Sequence, residues 1–145
     1  LETVKKLRWT PDIIHCHGWM TALTPLYIKR TFSQDPFFRN SKLVYSVYAD
    51  DFQRPFSSRF AEKLQIEGVT DEDVASLKGK EVSFEDLSKF AIEYSDAAII
   101  GSENINSNVK QFVENSGKMY LPFHPQDTYI EAYNDFYDKL MESNL

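Results

Sequence analysis

Two histidines close a short apolar run: Pro11-Asp12-Ile13-Ile14-His15-Cys16-His17 leads into Gly18-Trp19-Met20-Thr21-Ala22. On an extended strand, residues two apart point to the same side, so His15 and His17 share a face and Cys16 takes the other. A neutral imidazole offers one donor and one acceptor near pH 7, enough to hold a hydroxyl or to move a proton. Metal binding would need a third and fourth ligand. The only other histidine is His124, the only cysteine is Cys16, and no acidic pair stands at ligand spacing, so no metal site is expected. His17, the last residue before Gly18-Trp19, falls at a strand tip, where open α/β sheets bind their ligands. His15, one step deeper, reads either as a hydrogen-bonded core residue or as a second ligand-facing group.

These residues need a scaffold, and the rest of the chain supplies its pattern. A helix end is expected over residues 2–9, with Val4 and Leu7 on one face, and Pro11-Asp12 breaks it before a strand from Asp12 to Cys16. Thr21 is placed to cap a helix running to about Phe32, with Pro25 in its first turn. Lys42 to Tyr48 reads as a second strand, rich in β-branched and aromatic residues, and Ala49-Asp50-Asp51-Phe52 as its end loop. Residues 53–82 show no strand and read as a helical excursion or lid. Ser83 and Asp86 stand in capping-box spacing for a helix to about Tyr94. Ala97 to Gly101 forms a third strand, residues 106–115 a helix stopped by Gly117, residues 118–126 an extended crossing, and residues 127–143 a final helix. Along that last helix Tyr129, Ala132, Tyr133, Phe136, Tyr137 and Leu140 recur at helical spacing, the pattern of a face docked onto a sheet.

Alternating strands and helices at this spacing predict an α/β fold: a doubly wound, Rossmann-like parallel sheet with right-handed crossovers, residues 1–145 forming a single segment of it. Three strands make half of such a sheet, and a chain that starts directly in a helix is expected to continue upstream. Apolar residues make up 42% and charged residues 26%, the balance of an ordinary soluble domain. No apolar run approaches the roughly 20 residues that span a bilayer. One cysteine allows no internal disulfide and points to a reducing, cytoplasmic setting. Residues 1–60 hold nine basic and five acidic side chains, residues 61–145 seven and seventeen. Such an acidic surface disfavours nucleic acid and leaves only the first segment suited to an anionic ligand.

The segment from Pro11 to Tyr27 resembles the signature of the glycogen and starch synthases, approximately Pro-Asp-(apolar)-(apolar)-His-x-His-Asp-Trp-(Gln or His)-Thr-(small)-(apolar)-x-Pro-x-Tyr. Asp86 to Ser102 is similar to a second family segment, with Lys89, Tyr94, Asp96 and Ser102 in place. The resemblance covers roughly residues 8–52 and 84–113. It implies the N-terminal, acceptor-side domain of a two-domain (GT-B) glycosyltransferase that moves glucose from ADP-glucose or UDP-glucose to an α-1,4-glucan. No cofactor is implied, because the nucleotide sugar is a substrate.

By resemblance His17 is the catalytic-site histidine that contacts the donor glucose. His15, Trp19, Tyr48 and Asp50 are the implied substrate-binding candidates. Trp19 reads either as a sugar-packing ring or as a hydrophobic plug. Tyr48, where the family has histidine, and Asp50 read either as sugar-hydroxyl partners or as a solvated loop. Asp50 and Asp51 are adjacent and point apart, unlike the paired carboxyls of a glycosidase. Gly18 stands for the family's Asp and Met20 for Gln or His, so two polar groups are missing. The family's glycine-rich lysine loop and the Arg/Lys pair and Glu of its second domain are absent from this chain, which is therefore expected not to turn over alone. The rival expectation is a non-catalytic carbohydrate-binding or interaction module that kept the fold. An unrelated flavodoxin-like domain would require the His-x-His-Gly-Trp match to be coincidence.

Overall fold

The computed structural model describes residues 6–7, 12–49, 57, 59–64, 68–79 and 81–143. Four strands, β1 (Ile13–His17), β2 (Lys42–Val47), β3 (Ala97–Ile100) and β4 (Met119–Leu121), form one sheet in the order β1-β2-β3-β4. All three pairings are parallel. The helices are α1 (Thr24–Lys29), α2 (Phe60–Lys63), α3 (Phe84–Tyr94), α4 (Ser107–Asn115) and α5 (Tyr129–Glu142). A four-stranded parallel sheet covered by helices is the α/β Rossmann-like fold expected from the strand–helix alternation.

Alternation along the strands sorts side chains between two cores. Cys16, Tyr45, Val47, Ala98 and Ile100 face α1, α3 and α4, where they meet Leu26, Leu87, Phe90, Val109 and Val113. Leu64, Val74, Leu77 and Val82 are buried in the same cluster, so the described part of the 53–82 excursion packs into the main core. On the opposite face, Val44, Ala97 and Ile99 pack against Phe136 and Leu140 of α5. Consecutive strand order with crossovers of one hand returns α1, α3 and α4 to the same face, leaving the other to α5.

Several local expectations meet the coordinates closely. Ser83 and Asp86 form the reciprocal capping box of α3, and Gly117 adopts φ 74° just beyond α4, which starts one residue later than expected because Asn106 caps it through its side chain. Two expectations change. Residues 119–121 are strand β4, because the extended crossing runs within hydrogen-bonding reach of β3. Thr21 does not cap α1: it ends a 3-10 turn (Trp19–Thr21), and its hydroxyl donates to the carbonyls of His17 and Gly18 at 3.1 and 3.0 Å. α1 therefore starts later, at Thr24, with Pro25 in its first turn. Of the helix expected over residues 2–9, all but residues 6 and 7 lie outside the described residues.

Asp96 and Lys118 brace the other end of the sheet. The Asp96 carboxylate takes the backbone N–H of Leu43 at 2.8 Å and the Lys29 ammonium at 2.9 and 3.0 Å, and its own N–H donates to the Leu43 carbonyl. Asp96 thus ties the start of β2 to the start of β3. Lys118 Nζ donates to the carbonyls of Ile92, Glu93 and Ser95, satisfying the carboxyl end of α3.

Candidate active site

The carboxyl ends of β1, β2 and β3 bring His17, Tyr48 and Gly101 together, at the edge where parallel sheets of this kind bind ligands. The register pairs His17 with Ser46 and His15 with Val44, and Ser46 in turn with Ile99. His15, His17 and Ser46 consequently lie on the α5 face, and Cys16 lies on the opposite one. Burial pushes the Cys16 thiol up to about 11, against a smaller opposite effect from its bond to Thr24, so Cys16 is no thiolate nucleophile at neutral pH.

His15 is fully engaged. Its Nδ1 meets the hydroxyl of Tyr137 on α5 and its Nε2 the hydroxyl of Ser46 on β2. Burial, helped by the neighbouring His17 charge, lowers its pKa to about 4. The ring is therefore a neutral, doubly bonded support at neutral pH. His17 stacks on it with centroids 3.9 Å apart and planes inclined by 26°.

His17 is exposed. Its Nδ1 lies 2.7 Å from the hydroxyl of Tyr48. The phenol is the better donor of the two, which assigns the proton of the neutral ring to Nε2. Among the described residues Nε2 has no hydrogen-bond partner, so a donor N–H is offered to the outside. Burial lowers the pKa of His17 as well, keeping the ring neutral near pH 7.

The remaining predicted positions separate. Trp19 is partly buried against the main core, as a plug would be. Met20 is 83% exposed and Gly18 has φ 75° and ψ 168°, a backbone region open essentially to glycine alone. Gly18 N–H donates to the Ser46 carbonyl at 3.2 Å, which fixes the turn out of β1. Asp50 lies outside the described residues.

Residue-by-residue reading did not anticipate Ser46, Tyr133 and Tyr137 in this cluster. Tyr133 stands 6.0 Å from the His15 ring, and Tyr129, Tyr133 and Tyr137 follow one another edge-to-face at 5.6 and 6.3 Å. Period-2 alternation could have put Ser46 on the His15 face once the strand register was known. Two open clefts of about 370 and 460 Å³ lie at the opposite end of the sheet, around Lys29, Asp96, Lys42 and Lys118. Lys29 and Lys118 there are already tied into the fold, so the exposed imidazole of His17 marks the chemistry better than cleft size does.

Protonation of His15 places a charge in a half-buried site beside His17 and turns one of its two hydroxyl partners from donor to acceptor, which gives a pH test. Its charged form is disfavoured on folding, so the unfolded chain binds more protons between about pH 6.5 and 4 and stability falls as pH drops through that window. A loss of about 2 kcal/mol is expected, less than the whole shift implies because solvent reaches part of the ring. Urea titrations at pH 7 and 4.5 check this, and His15→Gln should flatten the dependence by a similar amount.

The starch synthase catalytic domain model matches residues 1–119. The chain belongs to the glycogen and starch synthase family. The glycogen synthase of Clostridium perfringens (strain 13 / Type A) is 37% identical over 113 residues, covering 76% of this chain and 22% of that protein. The glycogen synthase of Desulfitobacterium hafniense (strain DSM 10664 / DCB-2) is 31% identical over 109 residues, or 74% of this chain and 21% of that protein. The glycogen synthase of Chlorobium chlorochromatii (strain CaD3) reaches 50% identity over 48 residues, 33% of this chain and 10% of that protein. The chain thus spans less than a quarter of the length of the curated relatives that match most of it. No solved structure matches it. The family match ends before α5, so Tyr133 and Tyr137, which close over His15, lie outside it.

Proposed function

We propose that this chain carries part of the acceptor-side site of a glycosyltransferase that moves glucose from ADP-glucose or UDP-glucose to the non-reducing end of an α-1,4-glucan. The observation that supports it is the exposed, neutral His17 ring at the carboxyl end of β1, with Nδ1 held by Tyr48 and Nε2 turned outward. In the proposed reaction the bond from the anomeric carbon to the diphosphate oxygen breaks. A bond to the acceptor hydroxyl oxygen forms with retained configuration, and the hydroxyl proton leaves with the diphosphate. His17 Nε2–H would donate to a hydroxyl of the transferred glucose and hold the anomeric carbon in place, the kind of positioning that removes much of a barrier. His15 would act below it as a rigid support, and Tyr48 as the group that sets its tautomer. The reaction is proposed to need no metal or cofactor, and its setting is proposed to be the cytoplasm, where nucleotide sugar and glucan are its partners.

Departures from the family signature at Gly18, Met20 and Tyr48 favour a second reading, a glucan-binding module without turnover. Gly18 and Met20 supply no polar group where the family signature has them, and the Gly18 backbone could not accept an aspartate without strain. No helix among the described residues is long and apolar enough to cross a membrane. The test is transfer by the full-length protein: labelled nucleotide sugar plus glycogen should give labelled glucan. Glucan binding with neither transfer nor nucleotide-sugar binding would establish the module instead. The 145-residue chain alone is expected to show no transfer.

A further inference from the structure

We propose that Gly101 is a positioning residue for His17, acting through Tyr48: the empty space at its Cα is what lets the Tyr48 ring lie across the end of β3 and reach the imidazole. A methyl group on Gly101 would stand 2.6 Å from Cε1 of Tyr48 and 2.9 Å from Cδ1 and Cζ, closer than carbon atoms approach. The glycine is not there for its backbone, since it is absent from the positive-φ glycines. Nor can the backbone retreat easily. Gly101 N–H donates to the Val47 carbonyl at 2.8 Å, and the next residue, Ser102, takes the Ala49 N–H on its hydroxyl at 3.2 Å. Those two bonds clamp the chain on both sides of Tyr48 against the chain around Gly101. Relief must therefore come from the ring.

The ring is hinged next to β2 and carries its hydroxyl to Nδ1 of His17 at 2.7 Å. Its plane lies 31° from that of the imidazole with centroids 6.0 Å apart, so swinging it off Gly101 draws the hydroxyl away from Nδ1. Three strand ends are then one device: β3 leaves the space, β2 supplies the phenol, and β1 presents the histidine. Loss of the bond releases the tautomer of His17, and either nitrogen can carry the proton.

This rests on the proposed function only for what His17 does to a sugar; the coupling itself is independent of it. The test uses the full-length protein and ring-nitrogen NMR of His17 across a pH titration. Gly101→Ala should move the Nδ1 resonance and the titration midpoint to the values of Tyr48→Phe, and the double variant should add nothing further. Where nucleotide sugar binds, Gly101→Ala should weaken it by about 3- to 10-fold, the loss of one oriented hydrogen bond. Folding supplies a second reading: Gly101→Ala should lower the melting temperature in the wild-type background and leave it unchanged in Tyr48→Ala, where the ring is gone. A wild-type His17 resonance in Gly101→Ala, or an equal thermal cost with and without the ring, overturns the proposal. Failure of the transfer assay with the NMR coupling intact would sink only the proposed reaction.

Discussion

His17→Ala is expected to lower glucose transfer by the full-length protein about a hundred-fold or more while leaving the fold intact. The ring is exposed, and its described contacts are the stack on His15 and the Tyr48 bond, so little packing is lost with it. Its loss would instead remove a donor fixed in place before substrate arrives. Removing one such preorganised donor typically costs 10²–10³-fold in turnover. The effect should fall on kcat as well as KM, because only a group that grips ground state and transition state equally changes KM alone. His15 gives an internal control: the His17 charge is one of the two causes holding its pKa low, so in the variant the His15 titration should move up. Near-normal transfer in His17→Ala would remove the histidine from the reaction.

Asp73→Ala should be among the most destabilising single changes away from the site, at about 3 kcal/mol. Its carboxylate is only 6% exposed and receives Arg30 Nε at 2.7 Å, the Thr70 N–H at 2.9 Å and the Tyr94 hydroxyl at 3.2 Å. Burial alone would raise its pKa, but the Thr70 N–H and the Arg30 guanidinium outweigh it and hold the carboxyl below the usual range. Arg30, 47% exposed, can turn to water when the carboxylate is gone, and Tyr94 keeps its bond to the Asp73 carbonyl. The Thr70 N–H loses its acceptor, and the anchor of the 68–79 segment goes with it. That sum is smaller than the loss of a fully buried ion pair and larger than a surface one. A group with a depressed pKa stabilises above its unfolded pKa, and the effect is lost as pH falls through the lower folded value. The deficit of Asp73→Ala, read from urea titrations, should therefore be full at pH 7 and shrink in acid as pH falls below the usual carboxylate range. A deficit unchanged in acid would assign the effect to packing instead.

The His15 and Asp73 effects run in the same direction but in different windows. Stability should fall first between about pH 6.5 and 4 as His15 charges, and again in stronger acid as Asp73 is neutralised.

Local signals settled the elements of this chain. Ser83 with Asp86, Asn106 and Gly117 each act within a few residues of themselves, through a cap or a turn, so neighbouring sequence contains the whole cause. The run Ile13 to His17 told which of its side chains share a face, the β-branched and aromatic residues from Lys42 on told of a second strand, and the Pro11 to Tyr27 signature told the family. Strand β4 escaped notice because three residues carry too little pattern to separate a strand from an extended loop. What His15 does depended on partners 31 and 122 residues away, Ser46 and Tyr137, brought in by strand register and by the docking of α5. Register is a property of two strands together, and a helix face shows that it will dock without showing where. The sequence determined that a histidine would end β1. Only the tertiary structure decided that its neighbour would be a locked neutral support, that Tyr48 would reach it, and that the bare Cα of Gly101 would leave the room.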